Sequence, residues 1–423
     1  MARKTVASAP HLKLDRSLVM LEEAQRLTPG GVGGIRRPYN FVIGEYPVFI
    51  THGQGGHIFD VDGNEYIDML CAYGPIILGY VEPEINDAVK AQMDKGFCFS
   101  LVQPVQNELE ERLADTLPCG EQTIIVKTGS DATNAAVRAA RAYTGRDVIA
   151  RCGYHGWGDW CVENHGGIPQ AVVDLTKEFR YGDIADLERV FAENPDRVAG
   201  VIITPVGHPM AAPVTAPPSG YLGKVKEITH KNGAVLIFDE IRTGFRVAMG
   251  GAQERYGVVP DATCVGKAMA NGYPIAALVG KRELLSVYLK NAFLSSTFFP
   301  NSLEMVAAMA CMDILEREKV QDAIWERGTH FLERLGRIVA QSQVPVTMSG
   351  IPPMPFVTFD RSDEHYKERR TRFYTECIRR GLFVQPYHHW YIAYRHTEED
   401  LTRALDVVEE ALTIVAQEFP TKP

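Results

Sequence analysis

Two residues pose the chemical question: Asp239, which follows the apolar run 234–238, and Lys267, which follows the run 261–265 and Gly266. A carboxylate where a buried strand emerges can cap the next helix, or it can hold a cationic cofactor nitrogen. A lysine among small residues, here Ala268-Met269-Ala270-Asn271-Gly272, can reach solvent along its apolar stem. Buried, the same amine has a depressed pKa, which imine chemistry needs. Neither residue decides alone. Together they fit a carbonyl cofactor bound as an imine with its ring nitrogen paired to an acid. A third group, Thr128-Gly129-Ser130-Asp131-Ala132, stands between the run 123–126 and an alanine-rich helical window. Small hydroxylated residues at a helix N-terminus offer amides and a favourable dipole to a phosphate, or simply cap the helix.

Other phosphate and metal signatures fail. There is no G-x-x-x-x-G-K-[ST], and the glycines at 30–34 do not sit between a strand and a helix. Asp60-x-Asp62-x-Asn64 starts like a calcium loop, but Glu65 occupies the position that needs glycine.

The elements that must position these groups are legible in the hydrophobic pattern. Short apolar runs at 123–126, 148–150, 198–203, 234–238 and 276–279 alternate with helical windows, best seen at 134–143 and 220–231. That alternation predicts a largely parallel sheet covered on both faces, with ligands at the carboxyl ends of its strands. An amphipathic helix is expected at 15–27, stopped by Pro29-Gly30-Gly31, then strands at 46–51, 57–60 and 65–69 around the turn Asp62-Gly63-Asn64. After residue 300 helices are expected at 303–319, 324–340, 365–380 and 398–418, with a β-rich piece at 345–360. The expected layout is 1–70 contributing to a small domain, 71–305 as the large domain, and 306–423 as the C-terminal small α+β domain.

Composition narrows the function classes. The 423 residues are 45% hydrophobic and 23% charged, enough for a large core without disulfide or metal staples. A formal charge of −9 and no clustered Lys/Arg run argue against nucleic acid as a partner. Eight scattered cysteines form no C-x-x-C pair, as in reduced thiols. Residues 1–8 carry two basic residues and no apolar segment, so a signal peptide is not expected. No window approaches a membrane span, and the expectation is a soluble cytoplasmic protein with no membrane partner.

In order along the chain, Thr128-Gly129-Ser130-Asp131-Ala132, Tyr154-His155-Gly156, Asp239-Glu240-Ile241, Gly266-Lys267 and Ser296-Thr297 resemble class III pyridoxal-phosphate aminotransferases of fold type I. The nearest branch is similar to glutamate-1-semialdehyde aminomutases, through Phe59-Asp-Val-Asp-Gly-Asn-Glu-Tyr-Ile-Asp68, Gly74-Pro-Ile-Ile-Leu-Gly79, Thr243-Gly-Phe-Arg-Val-Ala248 and the stretch from Gly251 to Asp261. The resemblance runs from about residue 20 to 415 and implies a mostly parallel seven-stranded sheet between helices, plus a small α+β domain from both chain ends. It implies pyridoxal 5′-phosphate held as a Schiff base on Lys267, which also moves protons, and Asp239 keeping the pyridine nitrogen protonated. Gly129 and Ser130 would bind the phosphate, and Tyr154 would lie over the ring, with His155 beside it. Thr297 would reach the phosphate in a neighbouring subunit, implying a homodimer with shared sites. Arg37, Tyr73 and Arg242 are the residues implied to meet substrate, Arg36 sharing the place of Arg37.

Departures from the pattern bear on substrate. Ile202-Ile203-Thr204-Pro205 stands where the family commonly has Glu-Pro, and the usual C-terminal carboxylate-binding arginine motif is not recognisable around Tyr387-His388-His389-Trp390 and Tyr394-Arg395-His396-Thr397. Arg242, Thr204-Pro205 and Ala270–Pro274 together resemble aminotransferases acting on amino alcohols and amino sugars. The expected function is amino transfer between an amine donor (amino acid, amino alcohol or amino sugar) and a keto or aldehyde acceptor. Intramolecular transfer of the glutamate-1-semialdehyde type is the alternative; racemisation and a non-catalytic cofactor-binding role are further ones.

Overall fold

The computed structural model describes residues 6–34, 37–207 and 213–420. The chain divides into two compact units, one holding the described residues of Met1–Glu82, Met210–Val214 and Asp322–Pro423, the other those of Pro83–Pro209 and Thr215–Gln321.

The second unit is built on seven strands: β1 (Gln122–Val126), β2 (Val148–Cys152), β3 (Thr176–Glu178), β4 (Val198–Ile203), β5 (Val235–Asp239), β6 (Ala262–Gly266) and β7 (Ala276–Gly280). Their order is β1-β7-β6-β5-β4-β2-β3. Only β7 runs antiparallel to its neighbours; the other adjacent pairs are parallel. All residues of β2, β4, β5, β6 and β7 are buried, which explains why these strands read as unbroken apolar runs. Alternate residues serve opposite layers. Ile149, Ile202 and Ile237 pack with the helix Gly129–Thr144, and Val148, Val201 and Leu236 pack with Leu187, Val190 and Val225. Alanines on that first helix let it lie close to the sheet: a Cβ at Gly200 would stand 3.2 Å from the Ala140 methyl. The fold is the expected α/β arrangement.

Some elements escape the pattern. Helices Pro83–Met93, Pro104–Thr116 and Ile184–Glu193 and the strand Thr176–Glu178 were not among the expected elements; the strand is only three residues long, and helix Pro104–Thr116 buries only Leu109 and Leu113. Helix Leu303–Arg317 packs on helix Pro83–Met93, and this draws the residues up to 321 into the unit of the sheet, whereas the sequence reading begins the C-terminal domain at 306.

The other unit is α+β. Strands Ile50–Gln54, His57–Asp60, Glu65–Asp68 and Leu382–Phe383 form one sheet, and Val346–Ile351 pairs with Met354–Phe359. The first strand starts at Ile50 rather than 46 because Tyr46 turns inward, its hydroxyl donating to Val384 O at 2.7 Å. The calcium-like phrase is a hairpin device. Asp60 accepts from the Asp62 and Asn64 amides (both 2.9 Å) and from the Asn64 side chain and Tyr66 hydroxyl (both 2.7 Å). Asp62 in turn accepts from Arg16 N and Ser17 N at 2.8 and 2.9 Å, capping helix Asp15–Leu27.

Among the described residues no helix is long and apolar enough to cross a membrane.

Candidate active site

Parallel strands share the direction of their carboxyl ends, so the residues that follow β1, β2, β4, β5 and β6 gather along one edge of the sheet. Asp239 is the last residue of β5 and 4% exposed. Its Oδ2 lies 2.7 Å from His155 Nδ1, and its Oδ1 accepts from Ile241 N at 3.2 Å. His155, itself 2% exposed, has no hydrogen-bond partner for Nε2 among the described residues. Its ring stacks on Trp160 with centroids 5.9 Å apart, and its carbonyl accepts from Thr133 Oγ1 at 2.8 Å. The imidazole is therefore clamped, and an imidazole N–H aimed at a buried carboxylate keeps that carboxylate in place.

The neighbouring acid does something else. Glu240 is fully buried and accepts from Thr243 Oγ1 (2.9 Å), Ala252 N (2.5 Å) and Gln253 Nε2 (3.2 Å). Burial pushes its carboxyl up to about 7, with those bonds opposing. Successive residues leaving a strand point to opposite sides, so Glu240 ties down the 243–253 segment while Asp239 serves the strand edge.

Lys267 follows β6 and is held at φ +48°, a strained conformation for a residue with a side chain. Desolvation pulls its amine down to about 7; Arg242 adds repulsion and Asp239 opposes both. At neutral pH a large fraction is then the nucleophilic free base, unlike an ordinary lysine.

The helix N-terminus expected after β1 is present. Thr128 caps helix Gly129–Thr144 through Asp131 N at 3.1 Å, and Asp131 Oδ2 accepts from Thr128 N at 2.8 Å. The amides of Gly129 and Ser130 are the first two of that helix, where no intrahelical acceptor exists. Glycine is required nearby: a Cβ at Gly156, whose φ is +107°, would overlap Ser130 Oγ. Ile241 floors the space, since a Cβ at Gly129 would stand 3.1 Å from it and one at Gly266 3.3 Å. Lys127, just before the cradle, reaches Glu304 Oε2 at 3.1 Å and Asn301 O at 3.3 Å. Tyr154 is 38% exposed, with Arg242 Cζ 5.6 Å from its ring centroid.

Of the residues singled out from sequence, Asp239, Lys267, Gly129, Ser130, Tyr154, His155 and Arg242 thus belong to this strand edge. Thr297 is exposed on the stretch between Ser286–Leu289 and Leu303–Arg317. Arg37 and Tyr73 belong to the other unit, and Arg36 lies outside the described residues. Arg37 is exposed and donates to the Tyr39 hydroxyl. Tyr73 is 6% exposed, accepts from Gln385 Nε2 at 3.1 Å, and lines an apolar cavity of about 400 Å³ with Phe41, Leu70 and Phe383. The sequence reading missed the tasks of Glu240, Ile241 and Lys127. Glu240 and Ile241 stand beside a singled-out residue and Lys127 just before the cradle, which was the one available signal.

Anion cradle, buried acid and easily neutralised amine are the donor set for a phosphorylated carbonyl cofactor with a basic ring nitrogen, and pyridoxal phosphate fits it. The family model for aminotransferase class-III matches residues 42–412. A 3-aminobutyryl-CoA aminotransferase from Cloacimonas acidaminovorans (strain Evry) is 54% identical over 409 residues, covering 96% of this chain and 99% of the relative. A glutamate-1-semialdehyde 2,1-aminomutase from Natranaerobius thermophilus is 33% identical over 419 residues, with 92% and 96% covered. Among solved structures, the FumI protein of Sphingopyxis sp. MTA144 in its PLP internal aldimine form superposes with a TM-score of 0.91 at 28% identity, over 97% of this chain and 98% of that one. The chain belongs to the class III aminotransferase family, and its chemistry is amino transfer with pyridoxal phosphate.

Proposed function

We propose that this enzyme moves an amino group between a 3-aminoacyl-CoA of the 3-aminobutyryl type and a 2-oxo acid, with Lys267 and Asp239 as the central residues. The observation that carries the substrate reading is the 54% identity, over nearly the whole of both chains, to a 3-aminobutyryl-CoA aminotransferase. It replaces amino alcohols and amino sugars, for which only short phrases spoke.

Bound pyridoxal phosphate supplies a carbonyl for the donor's nitrogen and an electron-withdrawing ring that lets the carbon bearing that nitrogen lose a proton. Lys267 Nζ, neutral above about pH 7, would carry the cofactor and would take and return that proton. Asp239, braced by His155, would hold the proton on the ring nitrogen. Gly129 and Ser130 would offer their amides, and Ser130 its hydroxyl, to the phosphate.

The same reading takes the protein to be a cytoplasmic homodimer in which Thr297 completes the partner's cradle. Its support is the exposure of Leu101 (81%), Leu289 (88%), Phe293 (76%) and Phe298 (60%), an apolar set larger than scattered surface residues explain, and of Thr297 among them. Eight free thiols, seven of them buried, suit a reducing compartment.

The test is the visible spectrum of the holoenzyme titrated with 3-aminobutyryl-CoA alone. Loss of the cofactor's band with release of a 3-oxo thioester is expected; an unchanged spectrum overturns the substrate. A second reading, isomerisation of glutamate 1-semialdehyde, has the 33% identical aminomutase in its favour and predicts isomerised semialdehyde with no carbonyl product lost.

A further inference from the structure

Helix Tyr366–Arg379 carries four arginines, and three of them face acids. Arg369 Nη1 lies 3.0 Å from Asp363 Oδ1, Arg372 Nε 2.7 Å from Glu418 Oε2, and Arg379 Nε 2.7 Å from Glu45 Oε2. Arg370 differs. Among the described residues it meets no carboxylate. Its Nη1 donates to the Tyr366 hydroxyl at 2.6 Å and its Nη2 to the Tyr387 hydroxyl at 2.8 Å. Its Cζ lies 4.8 Å from the centroid of the Tyr366 ring and 4.4 Å from that of the Tyr387 ring. All three residues are half-buried.

A guanidinium keeps its charge at any working pH, and neutral phenols cancel none of it. A phenol oxygen that accepts from an arginine still carries its own O–H, so each tyrosine has one donor left to give. Both hydroxyls are tied to the same guanidinium, which gathers two O–H donors and a full positive charge at one place. An anion with several acceptor oxygens complements that set, and a phosphate group is such an anion. The trio is also held in shape. Tyr366 stands one helical turn before Arg370, and Tyr387 stands between the buried Pro386 and His388. The segment of Tyr387 borders apolar space as well. Gln385 Nε2 donates to the Tyr73 hydroxyl at 3.1 Å, the His388 ring stands edge-on to the Tyr73 ring with centroids 5.3 Å apart, and Tyr73 lines the apolar cavity of about 400 Å³. A coenzyme-A thioester combines the matching parts, phosphates at one end and a long, largely apolar arm.

We propose that Arg370, with Tyr366 and Tyr387, binds a phosphate group of a coenzyme-A thioester substrate. This rests on the 3-aminoacyl-CoA reading and adds to it the residues that select a thioester carrying coenzyme A.

The test follows the visible band of the holoenzyme in the half-reaction with 3-aminobutyryl-CoA, its 3′-dephospho form, and 3-aminobutyryl-pantetheine, which lacks every phosphate. For the unaltered enzyme, kcat/KM should favour the coenzyme-A thioester over the pantetheine thioester. In Arg370→Met that ratio should fall about 10- to 100-fold, the loss expected for a charge-assisted contact. Arg370→Lys should restore part of it, since the charge is kept and the fork lost. Tyr366→Phe combined with Tyr387→Phe keeps the charge and the rings but removes both O–H donors. It should lower the ratio about 3- to 10-fold, and it keeps the proposal testable if Arg370→Met does not fold. The dephospho thioester locates the contact: a penalty in Arg370→Met that vanishes with it assigns the 3′-phosphate, and one that persists assigns the pyrophosphate, either result supporting the proposal. An equal loss for both thioesters, or no loss, would make Arg370 a staple between two tyrosines and overturn the proposal. So would an unaltered enzyme indifferent to the phosphates, and these outcomes leave the 3-amino thioester reading standing. If no 3-aminobutyryl thioester consumes the band, the substrate reading itself fails.

Discussion

At the scale of the residue, the site depends on an amine whose surroundings push it away from ordinary behaviour and on a buried acid braced by a histidine. The folded Lys267 amine titrates at about 7 instead of near 10.5. Below that pH it is an ammonium and cannot attack a carbonyl; above it the lone pair is available. Reconstitution of cofactor-free protein with pyridoxal phosphate should therefore speed up as pH rises through about 7 and then level off, as followed by the growth of visible absorbance. A rate that keeps climbing toward pH 10 would mean an ordinary lysine. For Asp239, replacement by Asn keeps the shape but removes the charge proposed to hold a proton on the ring nitrogen. Steady-state assays should show kcat lowered by roughly 10²- to 10³-fold, the range seen when one preorganised electrostatic group is lost. Both residues were legible in sequence, since Asp239 ends an apolar run and Lys267 follows a short strand-like stretch among small residues. The clamp on Asp239 was not: His155 is brought to it by the pairing of strands far apart in the chain, and no local spacing encodes that contact.

At the scale of the element, the cradle is a helix terminus prepared by side chains on both sides of it. Thr128 and Asp131 form a reciprocal cap, and Thr128→Ala should lower the unfolding free energy by about 1 kcal/mol, measurable as a shifted denaturation midpoint. Gly156→Ala acts on ligand affinity instead. The added methyl collides with Ser130 Oγ at a backbone angle that disfavours any side chain, so cofactor dissociation during dialysis should be faster than in the unaltered protein. Strand positions were readable because full burial on both faces leaves only apolar residues, as in Val198–Ile203, where expectation and structure coincide. Helices such as Pro104–Thr116 were not, because only Leu109 and Leu113 of that helix are buried and its apolar stripe is too thin to stand out.

At the scale of the whole molecule, exposed apolar residues set the expected assembly. Ser302 N and Oγ both reach Phe97 O, at 3.1 and 3.4 Å, so the stretch 97–102 with its exposed Phe99, Leu101 and Val102 adjoins the stretch 293–302 with Phe293 and Phe298. Sedimentation should find a dimer, and Phe293→Asp combined with Phe298→Asp should raise its dissociation constant at least tenfold. A monomer in the unaltered protein would contradict the shared-site reading. Amino transfer of this kind requires that one particular amine carry the cofactor. Borohydride reduction of the holoenzyme followed by peptide mapping measures this directly, because reduction fixes the cofactor to the lysine that holds it. The pyridoxyl mass is expected on Lys267 alone, with Lys267→Ala folded, unlabelled and inactive. Label on another lysine, Lys127 beside the cradle being the nearest rival, would contradict it.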